Sequence, residues 1–336
     1  INQAAIEAIR LNLTKYTHSL GLAELRTAIS RSINDEYGVV VDPEQIIVTT
    51  GTSAGMLLTF AALLNPGEEV ILSDPGYPCY SKFVDVVGGK PVYIQLNEQE
   101  GWKPSVSQIE SVLTAKTKCI VVNSPMNPTG TIMSKTFLAK VAELSGPDQI
   151  VISNEIYHGM VYEGQAHSIL EFTDQAIVIN GFSKLHAMTG WRLGYLVVPP
   201  QLVRPIQKLQ QNLYISAPTI SQYAALAALD KAKPDIERMV ALYDERRQWL
   251  VPCLKEMGFG IPVDPTGAFY VLADARHLSE NSYDLALEIL AKAKVALTPG
   301  IDFGENAEGH IRFSYATSLE EIKEACHRLR EWLANR

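Results

Sequence analysis

Short, almost unbroken apolar runs alternate along this chain with amphipathic stretches. The runs Gln45 to Thr50, Glu69 to Asp74, Cys119 to Asn123, Gln149 to Asn154 and Ala176 to Gly181 are rich in β-branched residues. Runs of this kind read as strands covered on both faces. Helical patterns lie between several of them, for example Leu22 to Tyr37, ended by Gly38. Strand and helix in alternation predict an α/β fold, a mainly parallel sheet flanked by helices with right-handed crossovers. Ligands of such sheets bind beyond the carboxyl ends of the strands, so the residues after each run are where chemistry is expected.

From Pro234 the texture changes. One long helical pattern runs from there to Gly258, followed by strand patterns at Phe269 to Leu272 and His310 to Tyr315 and a closing helix from Ser318. A chain of 336 residues exceeds one compact core. The pattern predicts a large domain over residues 1–240 and a smaller C-terminal α/β domain over 241–336, with the boundary inside the long helix.

Composition removes several classes of function. A net charge of −8 argues against nucleic acid or an anionic membrane as partner. No apolar run reaches transmembrane length and no signal peptide is visible. Cys79, Cys119, Cys253 and Cys326 stand far apart with no C-x-x-C pair, which fits isolated thiols and a cytoplasmic location. The seven histidines form no ligand-spaced cluster, so no metal is expected.

The strand ends hold the candidate chemistry. After the first comes "TGTSAG", Thr50 to Gly55, a small-residue turn opening an apolar helix; it is either a tight turn or a phosphate cradle of free N–H groups. After the second, "DPGYPCY" sets Tyr77 between prolines, either packed in a rigid turn or laid against a flat ligand. "SPMNPTG" follows Asn123, a stiff loop suited to holding the Asn127 amide against one ligand atom, the other reading being a surface turn. "SNEIYHG" brings Asn154, Glu155 and Tyr157. "NGFSKLHAMTGWRLGYL" brings Lys184 and Arg192, two cations in an apolar, glycine-rich stretch where a surface helix would scatter them.

With "KYTHSLGLAELR", "GAFY" and "IRFSYATS", these motifs make eight in one order and spacing. In them the chain, from Tyr16 onward, resembles the class I/II aminotransferases of the fold-type I pyridoxal-phosphate enzymes. The resemblance implies pyridoxal 5′-phosphate as cofactor, and amino acid and 2-oxo acid as substrates exchanged by a ping-pong mechanism. It makes Lys184 the Schiff-base lysine and the proton shuttle. A lowered amine pKa is then required, which nearby Arg192 in a desolvated pocket is expected to supply. Arg192 becomes the phosphate anchor with donors at Thr52, Ser53 and Ala54, and Ser183 a further donor. Tyr77 would stack on the pyridine ring, while Asn127 and Tyr157 would bind its phenolic oxygen. Arg312 would grip the substrate α-carboxylate. Tyr16 would reach a phosphate in the neighbouring subunit, which implies a homodimer. For Tyr16 alone a core tyrosine, and for Arg312 alone a strand-borne salt bridge, are the ordinary alternatives.

Two departures from the family's pattern stand out. Family members have aspartate, paired with the protonated pyridine nitrogen, where this chain has Asn154. A neutral amide offers that nitrogen no charge. In a regular strand Glu155 points to the opposite face, so it is no substitute. Slower transamination, a specialised activity and an engineered change all fit Asn154. Family members also carry a segment before the equivalent of Ile1, expected to be absent here. A carbon–sulfur lyase sharing Lys184 and Arg312, and a cofactor-binding regulatory module with little turnover, are the competing functions.

Overall fold

A computed structural model describes residues 1–144 and 148–336. The apolar runs form a seven-stranded sheet: β1 (Ile46–Thr49), β2 (Glu69–Asp74), β3 (Lys90–Gln95), β4 (Thr117–Asn123), β5 (Ile150–Asn154), β6 (Ile177–Gly181) and β7 (Gly194–Val197). Their spatial order is β1-β7-β6-β5-β4-β2-β3. Strand β7 runs antiparallel to both β1 and β6, and the five strands β6, β5, β4, β2 and β3 pair in parallel. Two strands escaped the sequence reading. β3 is a half-exposed edge strand, and β7 has four residues beginning with glycine, so neither shows a long apolar run.

Helices bury both faces of this sheet, which is why its central strands are apolar throughout. One core packs the helix Ala23–Tyr37 and its neighbours against Ile46, Val48, Ile120 and Val178. The other packs the helix Gly51–Leu63 against Ile47, Ile152, Ile177 and Leu196. Full burial of each such side chain contributes about 1.5–3 kcal/mol before the entropy of ordering is subtracted.

A second, antiparallel sheet has the order β8-β10-β9, from β8 (Tyr270–Asp274), β9 (Thr298–Pro299) and β10 (His310–Ser314). With the helices Lys233–Glu256, Ser282–Ala293 and Leu319–Ala334 it encloses a third core, to which Tyr157 and Met160 also belong. The two sheets are tied at the end of β2. Phe303 O accepts from Gly76 N–H at 2.8 Å, and the Asn306 amide donates to Asp74 O at 3.0 Å and Leu96 O at 2.7 Å. The antiparallel register sets Arg312 of β10 directly across from Thr298 on one side and Leu272 on the other.

Candidate active site

Parallel strands put their carboxyl ends on one edge, and five of the expected segments leave the sheet there. The reversed strand β7 completes the set. Arg192 lies two residues before its amino end, so reversal delivers it to the same edge as the carboxyl end of β1. Gly194 pairs with Thr49 on one side and Gly181 on the other. A Cβ on Gly194 would stand 2.8 Å from Thr52 N, so only glycine lets the first turn of the next helix press against the sheet.

That helix begins at Gly51, earlier than the turn reading implied. Thr52, Ser53 and Ala54 form its first turn, which has no side-chain cap and no acidic residue. The amino-terminal N–H groups and dipole end are therefore open to an anion. Gly51 has φ +76°, and a Cβ there would lie 2.6 Å from an Arg192 Nη, which shows how closely the guanidinium covers this turn. Arg192 is exposed, and Nη1 donates to Thr189 O at 3.0 Å. It makes no ion pair with a carboxylate among the described residues. Open N–H groups beside an unneutralised guanidinium are suited to a phosphate.

Tyr77 is half-buried, set edge-on to Tyr80 with ring centroids 5.4 Å apart. Burial raises its hydroxyl pKa, neighbouring Cys79 and Tyr270 add to the rise, and Arg192 opposes it. Asn127 is buried, which rules out the surface-turn reading, and both X–Pro bonds of its loop are cis. The Asn127 N–H donates to Asn123 Oδ1 at 3.1 Å and Oδ1 accepts from Arg312 Nη1 at 2.8 Å. The Asn127 Nδ2 is thereby directed to donate.

Asn154 is also buried. Its Nδ2 donates to Tyr80 Oη at 2.7 Å and its Oδ1 accepts from Ile156 N–H at 3.2 Å. Glu155 faces elsewhere, as strand alternation requires: one oxygen accepts from Ser153, Ser168 and Ile169 N–H, and the other lies 3.5 Å from His158. Tyr157 is buried with its hydroxyl 3.0 Å from that of Tyr270, and burial holds its pKa well above that of a free phenol.

Lys184 is half-buried, with Nζ 5.9 Å from the Tyr157 ring centroid and 5.7 Å from that of Phe269. Its pKa is lowered, by burial first, then by Arg312, then by Arg192. The expected depression is present, but the larger cationic contribution comes from Arg312. Distance along the chain hid that neighbour. Ser183 is half-buried.

Arg312 forms no salt bridge among the described residues, contrary to the ordinary alternative for a strand arginine. Its guanidinium is held by the rings of Tyr270 and Phe303, with Cζ 4.2 and 4.6 Å from their centroids. Nη1 and Nη2 donate to neutral oxygens, Asn127 Oδ1 at 2.8 Å and Thr298 Oγ1 at 3.2 Å, and Nε is buried without a partner. Two of the five N–H groups are used, so an open fork remains for a planar anion. Tyr16 is 79% exposed and is no core tyrosine. A cavity of about 1030 Å³ lies beside the helix Asn2–Arg10 and is lined on the side of this cluster by Gly159, Leu185 and His186.

A family model described as aminotransferase class I and II matches residues 1–329. The chain belongs to the class I and II aminotransferases.

Similar aminotransferases act on different compounds. A (5-formylfuran-3-yl)methyl phosphate transaminase of Methanocaldococcus jannaschii is 41% identical over 98% of this chain and 86% of its own length. An aspartate aminotransferase of Pyrococcus abyssi is 36% identical over 99% of this chain and 87% of its own. Among solved structures, an aromatic aminotransferase from Pyrococcus horikoshii superposes with a TM-score of 0.95 at 36% identity, covering all of this chain and 92% of the other. An aspartate aminotransferase from Thermus thermophilus with maleate superposes at 0.94 and 35% identity, covering 98% and 87%.

Aminotransferases of this family depend on pyridoxal phosphate, and the donor set here fits it. The set comprises an anion cradle at Gly51, Thr52 and Arg192, an arginine, Arg312, without a carboxylate partner among the described residues, and a lysine of lowered pKa beside the aromatic pair Tyr157 and Phe269. The sequence reading gave no role to Tyr80, Tyr270, Phe303 or Thr298. Tyr80, three residues after Tyr77 in "DPGYPCY", and Tyr270, inside "GAFY", had signals that could have found them. Phe303 and Thr298 had none, because only the small sheet brings them to Arg312.

Proposed function

We propose that this chain moves an amino group between a small L-amino acid and a 2-oxo acid by a ping-pong sequence, the first oxo acid leaving before the second binds. The observation that carries this reading is Arg312: a half-buried, ring-clamped guanidinium with an open N–H fork, close enough to Lys184 to lower its pKa. A carboxylate is the complementary group, and an amino or oxo carbon beside that carboxylate then falls toward Lys184.

Pyridoxal phosphate, when bound, supplies the carbonyl that takes up the amino group and the ring that delocalises charge from Cα. The residues that would hold it are Arg192 with Thr52, Ser53 and Ala54 at the phosphate, Ser183 as a further donor, Tyr77 on the ring face, and Asn127 and Tyr157 at the phenolic oxygen. Asn154 would meet the ring nitrogen, and Lys184 would provide the covalent link. Tyr16 of a second copy would add a phosphate contact, so the working unit is a homodimer.

Lys184 is suited to two tasks. Burial and two neighbouring cations favour its neutral amine, which is both the nucleophile and the base able to take a proton from Cα and return it. Asn127 serves both ends of the site, fixing Arg312 through Oδ1 and donating through Nδ2. The differing substrates named for similar proteins leave the choice of amino-acid side chain to residues outside this shared set.

Reconstitution with pyridoxal phosphate followed by borohydride reduction is expected to fix the cofactor on Lys184. In a separate, unreduced sample, amino acids should release one 2-oxo acid per bound cofactor in a single turnover. Retention of a reducible adduct in Lys184→Ala, or release of ammonia and pyruvate from cystathionine in place of transfer, overturns this reading.

A further inference from the structure

Deepening the proposed function and resting on it, we propose that Asn154 holds the cofactor's ring nitrogen as an unprotonated hydrogen-bond acceptor, with Tyr80 as the residue that positions the amide. The amide has one orientation. Its Oδ1 accepts from the Ile156 backbone N–H at 3.2 Å, and Nδ2 donates to Tyr80 Oη at 2.7 Å. Turned over, the amide would set two donors against each other at a residue only 4% exposed, where water cannot relieve the conflict. One N–H of Nδ2 is used by Tyr80. Left for a ligand are the second lone pair of Oδ1, which brings no charge to hold a proton, and the second N–H, a donor that complements an acceptor. A protonated ring nitrogen would meet it donor to donor, whereas a carboxylate at this position would accept that proton and favour the charge.

The charges around the amide point the same way. Glu155, the next residue, has its carboxylate on the opposite side of the strand, with Ser153, Ser168, Ile169 and His158 around it. Tyr80 is buried, and burial raises its pKa, so it adds no negative charge. The strong charges acting on Lys184 in the same site are the cations Arg312 and Arg192, which disfavour a further cation there. An uncharged ring withdraws electrons less strongly, so removal of the Cα proton depends more on the Lys184 amine.

The test is the ring-nitrogen chemical shift of ¹⁵N-labelled pyridoxal phosphate bound to the full chain. In the wild type it is expected at the unprotonated pyridine position, moving to the pyridinium position in Asn154→Asp. A pyridinium shift in the wild type overturns the proposal while leaving the aminotransferase reading intact. Loss of all label on dialysis, with no reducible adduct, overturns both. If Asn154→Asp does not fold, the wild-type shift decides alone. Tyr80→Phe is expected to keep the unprotonated shift and bind pyridoxal phosphate about fivefold more weakly, the loss of one hydrogen bond. Unchanged affinity removes Tyr80 from the proposal.

Discussion

Arg312 and Asn127 lie 185 positions apart in the chain, and Nη1 of the arginine donates to Oδ1 of the asparagine at 2.8 Å. The contact joins a strand of the small sheet to a loop of the large one, so the group suited to a substrate carboxylate and the amide suited to the cofactor are set by one bond. Arg312→Lys keeps the charge but loses the planar fork and the clamp between Tyr270 and Phe303. The expected result is an amino-acid KM raised about 100-fold, with pyridoxal phosphate affinity changed less than about threefold. Steady-state kinetics and a cofactor titration check it; a KM within a few-fold of wild type would remove the arginine from substrate binding.

Gly51→Ala tests the anion cradle. At φ +76° the new Cβ would lie 2.6 Å from an Arg192 Nη. Pyridoxal phosphate is expected to bind about tenfold more weakly, read by fluorescence titration. Gly67→Ala is the control, because at φ +84° it carries similar backbone strain with nothing within 4 Å. It should cost about 1 kcal/mol of stability and leave cofactor affinity alone. Equal loss of affinity in both variants would mean that strain, not crowding of Arg192, is responsible.

Glu155 gives a pH signature. Burial raises its pKa to about 7, whereas burial lowers that of His158 to about 3. A carboxyl that binds its proton more tightly when folded stabilises the fold below its unfolded pKa, and that stability is lost as pH rises toward 7. His158 has the opposite effect, its contribution being full above its unfolded pKa and lost as pH falls toward 3. Glu155→Gln removes the first effect and retains an acceptor oxygen. Its stability relative to wild type should rise by about 3 kcal/mol between pH 4.5 and 7, measured by urea unfolding. A difference that is flat over that range would show that Glu155 ionises normally.

Tyr16 is tested by mixing subunits. Tyr16→Phe and Arg192→Ala chains are each expected to bind pyridoxal phosphate weakly. If Tyr16 acts across a dimer, a mixed dimer contains one site with both native residues, and part of the wild-type affinity returns on mixing. No recovery, with mixed dimers demonstrated by mass, places Tyr16 within its own subunit or outside the site.

Periodicity along the chain determined the buried strands, the parallel character of the large sheet and the edge where Lys184, Asn127 and Tyr157 lie. These depend on local hydrophobic pattern, and on the rule that parallel strands end together. Their identity as aminotransferase motifs was also legible, since each is a short run of neighbouring residues. Only tertiary structure decided what surrounds them. Reversal of β7 brings Arg192 to Gly51, the small sheet brings Tyr270, Phe303 and Thr298 around Arg312, and a helix after β2 brings Tyr80 to Asn154. The physical reason is that a pKa, a clamped guanidinium or a locked amide depends on distances through space, and a one-dimensional pattern holds no such distances between segments far apart in the chain.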